Sequence, residues 1–160
     1  MSKKTLMFFV MVAFVTILFS SQAPAFTIET IQGETLRSED LLAQGPIYID
    51  FWATSCQPCL RKLPFVSGFV SKYPEMTFIA VSTDSPRLRD NVVRQVRSSR
   101  YQFTTGFDAN RNLQRLFNVS EIPRTIIINQ DGQIVYDNTG YNAGDEVGLE
   151  DVIISVLRGE

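Results

Sequence analysis

The chain has 160 residues, enough for one domain with a substantial core, and 44% of them are hydrophobic. Its 15 basic and 17 acidic residues give a formal net charge of −2 without a dense basic cluster, which argues against a nucleic-acid binder. The chain has two cysteines and no histidine, so it cannot supply four Cys or His ligands to a zinc site by itself. We therefore expect no metal, no cofactor and no nucleic-acid partner.

The first residues have the pattern of an export signal. Lys3 and Lys4 precede a nearly unbroken apolar run, and small residues follow at 23–25, where an exporting peptidase would inspect them. The apolar run is shorter than the roughly 20 residues that a membrane-spanning helix needs. We predict a signal peptide over 1–25, with an uncleaved anchor as the alternative, and one domain over 26–160. Either form places the domain outside the cytoplasm.

Apolar periodicity and turn residues predict alternating strands and helices after the signal. Ser38 and Asp108 are predicted N-caps of two helices. The order of elements predicts a mixed sheet covered by helices on both sides. In chain order the predicted elements are a hairpin-like lead-in over Phe26–Leu36, helix Ser38–Leu42, strand Ile47–Trp52, helix Pro58–Tyr73, strand Met76–Val81, helix Pro86–Ser98, a short strand Tyr101–Thr104, helix Ala109–Phe117, a hairpin of strands Arg124–Asn129 and Gln133–Asp137, and helix Asp145–Leu157.

Both cysteines lie in the sequence Cys56-Gln57-Pro58-Cys59, directly after a predicted buried strand. A disulfide between them would close a very short loop and restrain the unfolded chain little, so the spacing favours a redox couple over a structural brace. The start of a helix also stabilises a thiolate. We predict that Cys56 is the exposed nucleophile and that Cys59, one turn deeper, resolves the mixed disulfide.

Several motifs resemble the thioredoxin superfamily. Asp50-Phe51-Trp52-Ala53 followed by the two cysteines, with Pro64 five residues beyond the second, resembles its active-site strand and helix, and Ile122-Pro123 resembles its cis-proline loop. The N-terminal β lead-in and the extra helix after the second core strand make the pattern most similar to exported TlpA/ResA-like thiol–disulfide oxidoreductases, over roughly 27–158. The resemblance implies an α/β, thioredoxin-like fold with a central mixed β-sheet flanked by helices.

The resemblance also implies roles for residues around the cysteines. Asp50 aligns with the buried aspartate of thioredoxins and is our candidate proton acceptor for Cys59. Pro123 is expected to be cis and to present the backbone of Ile122 to an extended substrate. Pro58 fixes the backbone between the thiols, although proline is also common at any helix start. Trp52 is expected in the core or in the wall of the site.

Two positions depart from the family pattern. Ser55 stands before the first cysteine where a tryptophan is common, and Lys62 stands where many TlpA/ResA-like proteins carry a glutamate. Lys62 is predicted to be a solvated helix charge, with help in holding a thiolate as the alternative. The lysine that thioredoxins pair with their buried aspartate is expected to have no counterpart, since Ala80 falls near its position.

These features together predict an exported protein disulfide oxidoreductase, acting as a monomer in the periplasm or at the extracytoplasmic face of the membrane. The residues between the cysteines do not resemble the Pro-His of strong oxidants, so a reductase of exported protein disulfides is favoured. It would be recharged by a membrane electron donor, and cytochrome c maturation is one candidate process. A non-catalytic partner-binding module and a thiol peroxidase-like enzyme remain as alternatives.

Overall fold

A computed structural model describes residues 21–159 of the chain. Most of the predicted export signal, residues 1–20, lies outside the described residues. Within 21–159, no helix is both long enough and apolar enough to cross a membrane. The segment just before the domain is tied to it: Ala23 N donates to Gly132 O at 2.8 Å, and Ile134 N donates to Ser21 O at 2.8 Å.

The described residues form seven strands and five α-helices. The strands are β1 Thr27–Glu29, β2 Thr35–Arg37, β3 Ile47–Trp52, β4 Thr77–Ser82, β5 Thr104–Phe107, β6 Arg124–Ile128 and β7 Ile134–Thr139. The helices are α1 Ser38–Leu42, α2 Gln57–Lys72, α3 Arg89–Ser99, α4 Asn112–Leu116 and α5 Asp145–Arg158, and a 3₁₀ turn over Pro86–Leu88 leads into α3.

Five strands form the central sheet, in the order β5-β4-β3-β6-β7. β3, β4 and β5 run parallel to one another, whereas β6 and β7 are antiparallel to their neighbours. β3 is therefore the middle strand and is buried along its whole length. β1 and β2 form a separate hairpin. This is the mixed sheet with a β lead-in that the sequence predicts.

The two faces of β3 belong to two different apolar clusters, because successive side chains of a strand point to opposite sides. Tyr48 and Trp52 pack with residues of α2, α3 and α5. Ile47, Ile49 and Phe51 pack with residues of the lead-in, α1 and α4. Helices thus cover both faces of the sheet, and α2, which begins at Gln57 between the two cysteines, lies on the face of the even-numbered residues of β3.

The lead-in hairpin reaches the edge strand of the sheet at one point of close approach. Thr30 forms an isolated bridge with Gly106 of β5, and Ile31 N donates to Thr105 O at 3.0 Å. A Cβ at position 106 would lie 2.7 Å from a side-chain carbon of Ile28. Glycine at this strand position therefore allows the hairpin to cover the sheet.

Some predictions for the elements differ from the structure. The helix predicted over Ala109–Phe117 is shortened to α4, Asn112–Leu116, because Arg111 takes the left-handed conformation just before it. The short strand predicted over Tyr101–Thr104 is instead β5, three residues further on. Arg100 ends α3 in the left-handed conformation and Tyr101 N donates to Val96 O, so Tyr101 belongs to the end of that helix. Ser38 is the first residue of α1 and not its N-cap, because its hydroxyl accepts from Phe26 N at 3.0 Å.

Candidate active site

Cys56 and Cys59 form a disulfide at the start of α2. The S–S distance is 2.02 Å and the Cα atoms are 5.2 Å apart. Cys56 is the N-cap residue and is partly exposed, whereas Cys59 is only 1% exposed and packs in the apolar cluster under α2. Pro58 occupies the first turn, where its missing N–H costs no hydrogen bond. One sulfur is therefore accessible to another protein and the other is shielded.

A buried carboxylate orders the loop in front of Cys56. Asp84 follows β4, and its carboxylate accepts from Thr54 N at 2.9 Å and from Thr54 Oγ1 at 2.8 Å. Ser82 Oγ donates to the same carboxylate at 3.0 Å. Cys56 N donates to Ala53 O at 3.0 Å, which closes the turn. The role of Asp84 is not predicted from the sequence, because its partner Thr54 lies 30 residues away in the chain.

Asp50 lies in the middle of β3 and is completely buried. It lies between Tyr48 and Trp52 on the face that carries α2, and both neighbours belong to the same apolar cluster as Cys59. Its partners across the sheet are Ala80 of β4 and Thr125 of β6. The structure therefore places Asp50 beneath the cysteine-bearing helix, as the strand pleat predicts.

Lys62 is the main correction to the sequence analysis. The prediction of a solvated helix charge is wrong, because Lys62 is only 2% exposed. Its Nζ lies 2.9 Å from Asp50 Oδ1, which is an ion-pair distance without hydrogen-bond alignment, and it donates to Thr125 Oγ1 at 2.5 Å. The expectation that Asp50 has no lysine partner is also wrong: the lysine comes from α2 and not from the β4 position of Ala80.

The signal for this pair was present in the sequence. Lys62 follows Cys59 by three residues and precedes Val66 by four, so all three lie on the inner face of α2. A charge at such a position is tolerated only with a partner. Asp50, at an inward position of the adjacent strand, is that partner.

Burial and the ion pair act in opposite directions on the Asp50 carboxyl. Removal from water raises the pKa of Asp50 above its usual range, and this is the larger effect. The ammonium of Lys62 counteracts the increase, as does the hydroxyl of Tyr48, which donates to Oδ2 at 3.4 Å. Burial and the charge of Asp50 in turn raise the pKa of Tyr48 well above 10, so its phenol is neutral. The site thus contains a buried carboxyl group that is easier to protonate than one in water.

The Ile122–Pro123 peptide bond is cis, as the resemblance implies. Pro123 is buried and immediately precedes β6, whereas Ile122 is partly buried and packs against the same cluster as the two cysteines. Trp52 is fully buried at the end of β3, and its Nε1 has no hydrogen-bond partner among the described residues. Trp52 is therefore a core residue beneath the site.

A mixed five-stranded sheet, a disulfide of the CxxC type at a helix start, and a cis-proline before the neighbouring strand define the class of protein. This class is the thioredoxin-fold thiol–disulfide oxidoreductases.

Comparison with known proteins specifies the family. A family model described as Redoxin matches residues 20–153. The thiol–disulfide oxidoreductase ResA of Halalkalibacterium halodurans is 32% identical over 121 residues, which are 74% of this chain and 67% of that protein. The chain thus belongs to the Redoxin family, within the thioredoxin superfamily, and is an oxidoreductase of the ResA and DsbE type. It spans between 65% and 72% of the length of the curated ResA proteins that it matches.

Solved structures agree with this assignment. A Chlorobium tepidum crystal structure, described as a thiol:disulfide interchange protein DsbE, is similar with a TM-score of 0.78 and 25% identity, covering 86% of this chain and 96% of that one. The solution structure of a thioredoxin-like protein from Porphyromonas gingivalis has a TM-score of 0.71 and 31% identity, covering 85% of this chain and 92% of that one.

Proposed function

We propose that the protein is an exported reductase of protein disulfides that acts through the Cys56–Cys59 couple. The observation that carries this proposal is the asymmetry of the two sulfurs: Cys56 is partly exposed at a helix start, and Cys59 is buried one turn below it. The export signal in the sequence and the resemblance to exported TlpA/ResA-like proteins support the location, which is the periplasm or the extracytoplasmic face of the membrane.

The reaction transfers two electrons from the dithiol to a substrate disulfide. The Cys56 thiolate attacks one substrate sulfur, and the other substrate sulfur leaves as a thiol after taking up a proton. Cys59 then loses its proton and attacks Cys56, which releases the second substrate thiol and leaves the Cys56–Cys59 disulfide. A membrane dithiol donor reduces this disulfide again. Haem-attachment cysteines of apocytochromes are one candidate substrate.

The surrounding residues have separate roles in this proposal. Asp50 accepts the proton of Cys59, directly or through water, because it lies on the face of β3 beneath the helix that carries this thiol. The cis-Pro123 loop presents the Ile122 backbone to an extended substrate segment. Pro58 shapes the turn between the thiols, and Trp52 supports it from the core.

Trapping of mixed disulfides tests the proposal and its assignment of roles. In Cys59→Ser the substrate stays attached to Cys56, so extracytoplasmic proteins should be recovered on the variant and released by dithiothreitol. Cys56→Ser is the matched control and should capture none. Capture by Cys56→Ser in place of Cys59→Ser would reverse the roles of nucleophile and resolving thiol. Failure of the reduced wild type to reduce insulin would favour the binding module.

A further inference from the structure

Two buried side chains of opposite charge, Asp50 and Lys62, meet beneath α2. Asp50 and Lys62 are 0% and 2% exposed, and both come from elements whose other inward residues are apolar. Lys62 Nζ contacts Asp50 Oδ1 at 2.9 Å and donates to Thr125 Oγ1 at 2.5 Å. The ammonium group is thus fixed by two strands, β3 and β6, while its backbone belongs to the cysteine-bearing helix. Lys62 lies one turn after Cys59 on the same helix.

We propose that Lys62 is a positioning residue for thiol–disulfide exchange, which holds the Asp50 carboxylate in place and ionised as the proton acceptor for Cys59. This role rests on the proposed function. It differs from the pattern that the resemblance implies, in which this helix position carries an acid and the lysine belongs to a strand.

The apolar surroundings of Asp50 determine whether its carboxyl group is protonated or ionised. A carboxyl group buried without a cation takes its neutral form, and a neutral carboxyl cannot accept a proton from a thiol. Lys62 supplies the cation, and Thr125 restrains the ammonium because it accepts one of its protons. The pair can therefore keep a base available in an apolar site, although burial still makes the carboxyl easier to protonate than in water.

The other groups around Asp50 do not replace Lys62. Tyr48 of β3 donates to Asp50 as a neutral phenol, and Tyr136 of β7 is a second phenol whose pKa is raised by burial and by nearby acids. β4 contributes the apolar Ala80 at the paired position. α2 contributes Cys59, whose thiol is the proposed proton donor. Among residues 21–159, Lys62 is the one cation in ion-pair contact with Asp50.

The test uses the two thiolate releases that follow reaction of the reduced protein with 5,5′-dithiobis(2-nitrobenzoate). The first release reports attack by Cys56 and the second reports resolution by Cys59, so stopped-flow spectroscopy separates the two steps. Lys62→Met removes the cation and leaves a side chain of similar length. We expect the pH midpoint of the second release to move upward by about one unit or more, and the rate at pH 7 to fall about tenfold, with the first release little changed.

A double-variant comparison shows whether Lys62 acts through Asp50. In the Asp50→Asn background, adding Lys62→Met should change the second release less than twofold, because the acceptor is already absent. A tenfold further loss would overturn the proposal, since Lys62 would then act on the Cys59 thiolate directly. An unchanged midpoint in Lys62→Met would overturn it too.

A readout without turnover separates this inference from the proposed function. In the oxidised protein, ¹³C NMR of the Asp50 carboxyl should titrate at higher pH in Lys62→Met than in the wild type, whether or not any protein substrate exists. If Lys62→Met does not fold, Thr125→Val removes the acceptor that restrains Nζ, together with a side-chain contact to Tyr48, and should move the same titration upward by a smaller amount. A wild-type titration curve in the variant would overturn the positioning role. If Cys59→Ser captures no substrate while the Asp50 titration is shifted in Lys62→Met, the proposed function is overturned and the effect of Lys62 on Asp50 stands.

Discussion

Asp50 is a completely buried carboxyl group, and its ionisation therefore affects the stability of the fold. Its pKa is raised in the folded protein by burial, with Lys62 opposing the increase. Between the unfolded value, about 3.9, and the higher folded value, the native protein binds more protons than the unfolded chain. Stability contributed by the neutral carboxyl is therefore present at low pH and lost as the pH rises through this window.

The first prediction follows from that sign. The free energy of unfolding of the wild type, relative to Asp50→Asn, should fall with increasing pH from about 4 upward, by about 1.4 kcal/mol for each unit by which the folded pKa exceeds the unfolded one. Urea titrations at a series of pH values measure it. Asp151→Asn, on the exposed side of α5, should keep the wild-type slope. An increase of relative stability over the same range would contradict the raised pKa.

Asp84 provides a second prediction at the same scale. Asp84→Ala leaves the part-buried Thr54 N without its acceptor in the loop before Cys56, and loss of such a hydrogen bond costs about 1 kcal/mol. We expect this loss of stability in urea denaturation of the oxidised protein. With 5,5′-dithiobis(2-nitrobenzoate) and the reduced protein, the first thiolate release should be slower than in the wild type, because the loop no longer holds Cys56. Asp151→Ala is the exposed control. A variant as stable as the wild type would show that water replaces the carboxylate.

The residues of the site differ in how far sequence could predict them. The cysteines follow from their spacing, whereas Asp50 was singled out by the resemblance to thioredoxins, and strand alternation only puts it on the side of the helix. The prediction of an exposed Lys62 relies on residue type, because a lysine on a helix is usually solvated. The helical spacing, which puts position 62 on the inner face of α2, is the better guide here. Asp84 and Thr125 act through contacts between distant segments, which local patterns do not contain.

Among the elements, α4 shows how a cap can act from a distance. The predicted helix over Ala109–Phe117 is reduced to Asn112–Leu116, because a turn with Arg111 in the left-handed conformation intervenes. Asp108 nevertheless satisfies the helix start: its carboxylate accepts from Leu113 N at 3.1 Å and from Gln114 N at 2.9 Å. The prediction of Asp108 as the N-cap residue is wrong, because Arg111 occupies that position, although the Asp108 carboxylate supplies the acceptors for the first turn.

The third prediction concerns this cap. Asp108→Ala removes acceptors from two helix N–H groups, one of them in a buried hydrogen bond, and should cost about 1–2 kcal/mol of stability. In Asp108→Ala, hydrogen exchange at the amides of Leu113 and Gln114 should be faster than in the wild type, whereas exchange at the amides of α5 should change little. Asp131→Ala, an exposed turn residue, is the matched control. Unchanged protection at both amides would mean that the carboxylate does not cap α4.

β5 shows why a strand can be displaced in a prediction from sequence. Its glycine at 106 weakens the strand signal, since glycine is uncommon in strands, and the apolar run starting at Tyr101 attracts the assignment instead. In the structure, Tyr101 and Phe103 stack at 5.0 Å between ring centroids, ahead of the paired residues. The position of Ile28, distant in sequence, explains the glycine and could not be read locally.

For the molecule as a whole, the direction of electron flow and the stability of the fold are linked. Folding that stabilises the disulfide more than the dithiol lowers the reduction potential of the couple relative to the unfolded chain, and each 1.4 kcal/mol of preference corresponds to about 30 mV. A disulfide across so short a loop restrains the unfolded chain by only about 2 kcal/mol in the loop-entropy model. Interactions in the native site therefore largely decide whether the oxidised or the reduced protein has the greater free energy of unfolding.

The fourth prediction uses this link to test the reductase proposal without a substrate. The oxidised protein should unfold at higher urea concentration than the reduced protein, with a difference of about 1–3 kcal/mol, because a reductase has a native state that favours its disulfide. The Cys56→Ser/Cys59→Ser double variant should give one midpoint in both redox buffers. A reduced form that is more stable than the oxidised form would mark an oxidant, since strong oxidants are those whose dithiol is stabilised by the fold.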